Sequence, residues 1–204
     1  MSLDIDNLNS NLLDVLKELG NIGAGNAVTA LSKILNDKVD MKVPQVKLLN
    51  FSEIDDVLGG AEEPVVGIYF KMEGDVVGNI MFILTIDSAI NIIELLLNKK
   101  KETKEFDDIE MSALSEIGNI LASSYINSLS QLTNLKLKTS VPSINIDMAA
   151  AILSVPAIQF SYISDKVLFI ETELHENKRL INGDLFLIPE IESFEKILQN
   201  LGVY

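Results

Sequence analysis

Glu18-Leu19-Gly20-Asn21-Ile22 returns as Glu116-Ile117-Gly118-Asn119-Ile120, 98 residues further along the chain. The match holds its register on both sides. Asp14 answers to Ser112, Ala24 to Ala122, Leu31 to Leu129, and Val43-Pro44 to Val141-Pro142. Each copy sits in an apolar pattern of helical period. A duplication that preserves a polar Glu-x-x-Asn pair within such a pattern points to two copies of one site.

Outward from that stretch, residues 8 to about 36 read as one amphipathic helix, with Leu12, Leu16, Leu19, Ile22, Ala27, Leu31 and Ile34 forming its apolar stripe. Asp37-Lys38 breaks the pattern. Val39 to Leu49 then alternates as a strand, with Pro44 marking an edge or a bulge. A polar loop over 52–63 precedes two strands, Pro64 to Met72 and Val76 to Thr85, joined at the turn signal Glu73-Gly74-Asp75. Ser88 to Leu97 reads as a shorter helix. Lys99 to Glu105 is a charged linker. Beyond it Asp107 or Asp108 is placed to cap a second long helix running to about Thr133. Strands follow at about 136–147, 167–175 and 180–188, and Pro189 is read as opening a last helix through Leu201. From Ala149 to Ser164 the apolar run is strand-like but interrupted by Val155-Pro156, and the pattern leaves its state open.

Each half thus reads as a long helix, a strand, a loop, a hairpin and a short helix. The expected architecture is α+β: two pseudo-twofold-related repeats, about 8–98 and 106–201, sharing a largely antiparallel sheet flanked by helices. Half of this chain would make a marginal core by itself, so a single domain over 1–204 is expected.

Composition narrows the function. The chain is 48% hydrophobic, enough to bury a substantial core. A formal charge of −14 argues against nucleic acid, whose phosphates call for a cationic surface, and against an anionic membrane. Cysteine is absent and there is one histidine, His175. Thiolate chemistry, a sulfur-ligated metal, a zinc site and a Ser-His-Asp triad are therefore excluded, and no metal site is expected. The acidic stretch Met1 to Asp6 lacks an apolar signal core, and no apolar run is long enough for a transmembrane helix. A cytoplasmic, soluble protein is expected. Gly20-Asn21-Ile22-Gly23-Ala24-Gly25 resembles a dinucleotide fingerprint only on paper, because it lies within a helix and not between a strand and a helix.

At roughly 100° per residue, Glu18 falls about 40° from Asp14 on the helical wheel and Asn21 about −20°, so the three share a face. Gly25, Val28, Thr29 and Ser32 continue it, and Ser112, Glu116, Asn119, Ser123, Ile126, Asn127 and Ser130 form its counterpart. A solvated helix face usually carries Lys and Glu at pairing distance. These stripes are short in side chain and almost uncharged beyond the Glu. Gly25 leaves a smooth shelf beside Glu18 and Asn21, whereas Gly20 and Gly23 fall on the core side and allow close packing. Such a shelf suits a partner protein pressing in, with Asp14, Gly25, Thr29, Ser112, Ser123 and Asn127 around it. An amide cannot act as a base, but it can hold a water in line for attack on a phosphoryl group. Asn21 and Asn119 are candidates for that task on a phosphorylated partner, and Glu18 and Glu116 can pair with a cation of the same partner.

At these residues the sequence resembles the CheC family of bacterial chemotaxis phosphatases, which includes CheX and FliY. The family pattern is Asp or Ser, three residues, Glu, two residues, Asn, twenty-two residues, Pro. It is met at Asp14, Glu18, Asn21, Pro44 and again at Ser112, Glu116, Asn119, Pro142. Two motifs and no flagellar-switch domain after the last helix place the resemblance nearest the CheC branch. The resemblance implies hydrolysis of the aspartyl phosphate on the response regulator CheY, with Asn positioning water and Glu meeting a basic residue of CheY. It implies no cofactor of the chain's own, Mg²⁺ being carried by CheY, and it implies binding of the receptor deamidase CheD. A non-catalytic adaptor for CheD or phosphorylated CheY, and a structural part of the flagellar switch, are the other readings. The pseudodimer can work as a monomer. The two shelves differ, since Gly20, Gly23 and Gly25 stand against Gly118, Leu121 and Ser123.

Overall fold

The computed structural model describes residues 10–50, 53–160, 166–176 and 179–202. The acidic stretch Met1 to Asp6 lies outside them. The first repeat comprises α1 (Ser10–Leu35), β1 (Val39–Lys42), β2 (Val46–Asn50), α2 (Ile54–Val57), β3 (Pro64–Gly74), β4 (Gly78–Thr85) and α3 (Ile86–Leu97). The second comprises α4 (Asp108–Thr133), β5 (Leu137–Thr139), β6 (Ser143–Met148), α5 (Ala149–Phe160), β7 (Lys166–Glu176), β8 (Arg179–Pro189) and α6 (Ile191–Asn200).

Local chemistry explains the helix ends. Asp107 accepts from the Glu110 N–H at 2.9 Å while the Glu110 carboxylate accepts from the Asp107 N–H at 2.9 Å, a reciprocal cap on α4. The stops are asparagines. Asn36, Asn98 and Asn134 follow α1, α3 and α4 with φ of 49°, 48° and 58°, a left-handed conformation that Asn tolerates better than most residues. Asp37-Lys38 is thus one step late as the breaker of α1.

All strand pairings in the sheet are antiparallel, and its order is β1-β7-β8-β4-β3-β5, with β2 also on β7 and β6 also on β3. The two hairpins meet at the centre, β4 beside β8. The first repeat's β1 and β2 pair with the second repeat's β7, and the second repeat's β5 and β6 pair with the first repeat's β3. Each half therefore completes the other half's edge. The shared antiparallel sheet expected from the repeat is present.

The central strands of the sheet, β4, β7 and β8, are covered on both faces. Ile80, Phe82, Leu84, Leu168, Ile170, Leu185 and Leu187 face the layer of α1, α3, α4 and α6. Met81, Ile83, Val167, Phe169, Phe186 and Ile188 face the short α2 and α5. This accounts for the unbroken apolar runs in the hairpins, where a sheet covered on one side would alternate. The single strands expected over 39–49 and about 136–147 are each split in two, β1 with β2 and β5 with β6, and three further segments also differ from or settle the sequence reading. The polar loop over 52–63 contains the helical turn α2, whose Ile54 is fully buried. The undecided segment is the helix α5 as far as Phe160, and its remainder lies outside the described residues. Pro189 ends β8, and Glu190 is the N-cap of α6.

Candidate functional site

α1 and α4 lie against one another on the same sheet face, with Leu16, Leu19 and Leu31 of one and Leu114, Ile117 and Leu121 of the other buried beneath. Two glycines set how close each helix sits. A Cβ at Gly20 would come within 3.1 Å of Val43 Cγ1, and one at Gly118 within 2.7 Å of Ile68 Cδ1. Between the helices, a Cβ at Gly23 would come within 2.4 Å of the Tyr125 ring, so Gly23 is the hole that Tyr125 fills. Tyr125 is anchored from behind by Thr172, its hydroxyl 3.2 Å from Thr172 Oγ1. Burial pushes that phenol's pKa up to about 12, and it stays protonated. Asn26 Nδ2 donates to Ser128 Oγ at 3.1 Å across the same interface. Asn26 and Tyr125 were not singled out in the sequence. Their signal is present as an exchange of sizes: Gly23 with Tyr125 in one direction, Leu121 with Ala27 at the equivalent positions in the other.

With the apolar stripes turned inward, Asp14, Glu18 and Asn21 emerge exposed on α1. Ser112 and Glu116 are exposed on α4, and Asn119 is half-buried. Residues three apart on a helix have neighbouring side chains, so each Glu stands beside its Asn. Among the described residues, no side-chain hydrogen bond or ion pair engages Glu18, Asn21, Glu116 or Asn119. Their carboxylates and amides face outward with their polar capacity unspent. Gly25 is open, with nothing within 4 Å of the place its Cβ would take. Thr29 is exposed, its hydroxyl donating back to the Gly25 carbonyl at 3.2 Å. Ser123 is half-buried and Asn127 exposed. The stripe on α4 is narrower than the wheel implies: Ile126 is only 2% exposed and belongs to the core, and on α1 Val28 leans against the core.

Other chemistry is missing from this surface. The Nε2 of His175 lies 3.1 Å from Glu173 Oε2 on β7 and faces away from α1 and α4. Among the described residues no cluster of His, Cys, Asp or Glu is arranged to hold a metal, and no helix is long and apolar enough to cross a membrane. The charged linker is partly an internal feature. The Lys101 side chain is largely covered, its Nζ 2.7 Å from Glu110 Oε2 and 4.8 Å from the centre of the Phe106 ring. This pair ties the linker to the cap that starts α4.

The structure is thus a pseudo-twofold α+β protein that presents a repeated Glu/Asn pair on the outer side of two packed helices. The model of the CheC-like family matches residues 13–48 and 109–146, the two segments that carry the repeated motif. The CheY-P phosphatase CheC of Bacillus subtilis (strain 168) is 38% identical over 195 residues, covering 93% of each chain. The chain belongs to the CheC-like family. Among solved structures, Thermotoga maritima FliY superposes with a TM-score of 0.76 at 23% identity, covering 96% of this chain and 98% of that one. A CheX-CheY-BeF3-Mg²⁺ complex from Borrelia burgdorferi gives a TM-score of 0.52 at 16% identity, covering 87% of this chain and 99% of that one.

Proposed function

We propose that this protein is a phosphatase for the aspartyl phosphate of a CheY-type response regulator, acting in the cytoplasm through two surface sites. One observation carries the reading: the Glu-x-x-Asn pair is presented twice, at equivalent positions of packed helices, with no side-chain partner for any of the four residues among those described. The name of its 38%-identical relative, a CheY-P phosphatase, supports the same substrate.

In this mechanism the helix face presses against the regulator's phosphorylated surface. Asn21 or Asn119 enters beside the acyl phosphate and holds a water in line with the phosphorus, where position and electrostatics supply most of the rate. Glu18 or Glu116, one turn away, pairs with a regulator cation and fixes the angle of approach. The Mg²⁺ that such phosphoryl transfer needs is assigned to the regulator in this reading. Rigidity comes from beneath: the tight Gly20–Val43 and Gly118–Ile68 contacts leave the backbone of each motif little room to move.

The test is phosphate release from phosphorylated CheY with this protein substoichiometric. Asn21→Ala combined with Asn119→Ala is expected to return release to the regulator's own rate while the circular dichroism spectrum and melting temperature stay unchanged. Wild-type turnover by that double variant defeats the mechanism. Binding of phosphorylated CheY or of CheD by the wild type with no acceleration of release supports the adaptor instead.

A further inference from the structure

Two large apolar side chains stand exposed in the second repeat, and the first repeat's sequence or packing differs at the equivalent positions. Ile109 is 69% exposed and Val141 is 86% exposed. Ile109 lies seven residues before Glu116, two turns up the same stripe, roughly 20° off it on the wheel. Val141 immediately precedes the motif proline, Pro142. Its loop lies beside the motif: Ile68, the residue that meets Gly118, pairs in the sheet with Ile144 three residues beyond Val141. That loop is also fixed. Ser140 donates its N–H to the Lys71 carbonyl at 2.9 Å, and its hydroxyl accepts from the Lys71 N–H at 2.9 Å.

In the first repeat, sequence puts the polar Asn11 where Ile109 stands. Val43, the equivalent of Val141, is 7% exposed because it folds down onto Gly20. Isolated exposed hydrophobics are ordinary on a protein surface. Here, however, both belong to the repeat that carries Glu116 and Asn119, the equivalent positions 11 and 43 hold a polar residue and a covered valine, and Val141 projects from a loop hydrogen-bonded to β3.

We propose that Ile109 and Val141 are docking residues for the phosphorylated response regulator, giving the α4 site an apolar grip that the α1 site lacks. This rests on the phosphatase reading above. The contact is selective for the partner's shape rather than for the phosphate, so its loss weakens docking and leaves the Asn119–water geometry intact. Groups of this size, pre-ordered and buried on contact, carry enough transfer free energy for about a tenfold change in affinity.

The experiment isolates one site at a time. In an Asn21→Ala background, where only α4 works, Ile109→Ser with Val141→Ser is expected to raise the KM for phosphorylated regulator about tenfold with kcat within about twofold, and Ile109→Val with Val141→Ile to restore it. In an Asn119→Ala background the same pair is expected to leave KM unchanged. Binding of regulator carrying beryllofluoride reports the same affinity change without hydrolysis. An unchanged KM in the first background overturns the proposal, as does an equal loss in both. So does a shift from dimer to monomer with regulator affinity unchanged, which assigns the patch to a second copy of the chain. Failure of the phosphatase reading is separately visible: it is full turnover by the Asn21→Ala, Asn119→Ala protein.

Discussion

The two halves of this protein share a fold, a motif and a sheet, yet they spend the same positions differently. In the first repeat Val43 lies under cover against Gly20, while in the second Val141 projects into solvent. On the interface between the long helices, Gly23 makes space and Tyr125 fills it, where the symmetric positions carry Leu121 and Ala27. On the far face of the sheet, Asn79 and Asp184 each stand six residues before the N-cap of a short helix. Asn79 accepts from the Tyr69 hydroxyl, and Asp184 faces Glu171 across β7 and β8. A duplicated chain is free to keep one copy for packing and to turn the other toward a partner. The pattern here is that the first repeat covers the valine before its motif proline and the second leaves that valine in solvent.

The largest effect expected from erasing one of these differences is at the acidic pair. Burial, and then the neighbouring Glu171 charge, raise the Asp184 carboxyl from 3.8 to about 7. The folded protein therefore holds a proton that the unfolded chain releases once the pH exceeds about 4, so stability falls as pH rises from about 4 to about 7 and stays low above that. After allowance for partial solvent access the cost above pH 7 is roughly 2 kcal/mol. Asp184→Asn, which restores the first repeat's residue, is expected to raise the urea midpoint at pH 8, leave it nearly unchanged at pH 4, and flatten the profile between. An equal gain at both pH values would show that charge is not the cause.

Next comes the helix interface. Gly23→Ala drives a methyl into the Tyr125 ring, which is fixed by Thr172 and has no flexible end to withdraw. Overpacking outweighs the improved helix propensity, and a net loss of about 1–2 kcal/mol is expected in thermal or urea unfolding. Adding Tyr125→Ala, which places there the residue of the first repeat's equivalent position, Ala27, should relieve the clash, so the two effects are expected to be strongly non-additive.

How much of this was open to inspection in the sequence follows from what each feature depends on. The repeat, the long helices and the outward Glu and Asn depend on local periodicity, and a wheel is enough to find them. The exchange of edge strands between halves depends on pairing between positions 63 to 137 residues apart, for which the alternation in 39–49 or 136–147 carries no address. The helix α5 was hidden by the two-sided burial of the sheet beside it: a short apolar run has the same appearance as a covered strand or a covered helix. Ile126 was misplaced because the α4 stripe is narrower than an even division of the wheel. The exposure of Val141 was also hidden, since Val141-Pro142 and Val43-Pro44 are identical in sequence and differ only in what lies underneath.

Inactivating the sites one at a time turns the comparison into rates. If Ile109 and Val141 favour the α4 site, then at regulator concentrations below KM Asn119→Ala is expected to remove most of the stimulated phosphate release. Asn21→Ala should then leave most of it, a ratio of about tenfold between the single variants. Equal losses would mean that the shelves serve alike and the exposed side chains are incidental.

The smallest effect expected is at Gly25, and it separates stability from function. Nothing lies within 4 Å of an added Cβ there, so Gly25→Ala meets no clash and gains helix propensity. A stabilisation of up to about 1 kcal/mol is expected in urea unfolding. If the bare backbone at Gly25 is the shelf on which the regulator rests beside Glu18 and Asn21, the same methyl raises KM in an Asn119→Ala background, where α1 works alone. In an Asn21→Ala background, where α4 works with Ser123 in the equivalent place, it is expected to do nothing. A protein that becomes more stable yet binds its substrate less well at one site only would show that the glycine is kept for the partner. A stabilised protein with unaltered KM in both backgrounds would instead leave Gly25 outside the docking surface and confine the α1 site to the turn that carries Glu18 and Asn21.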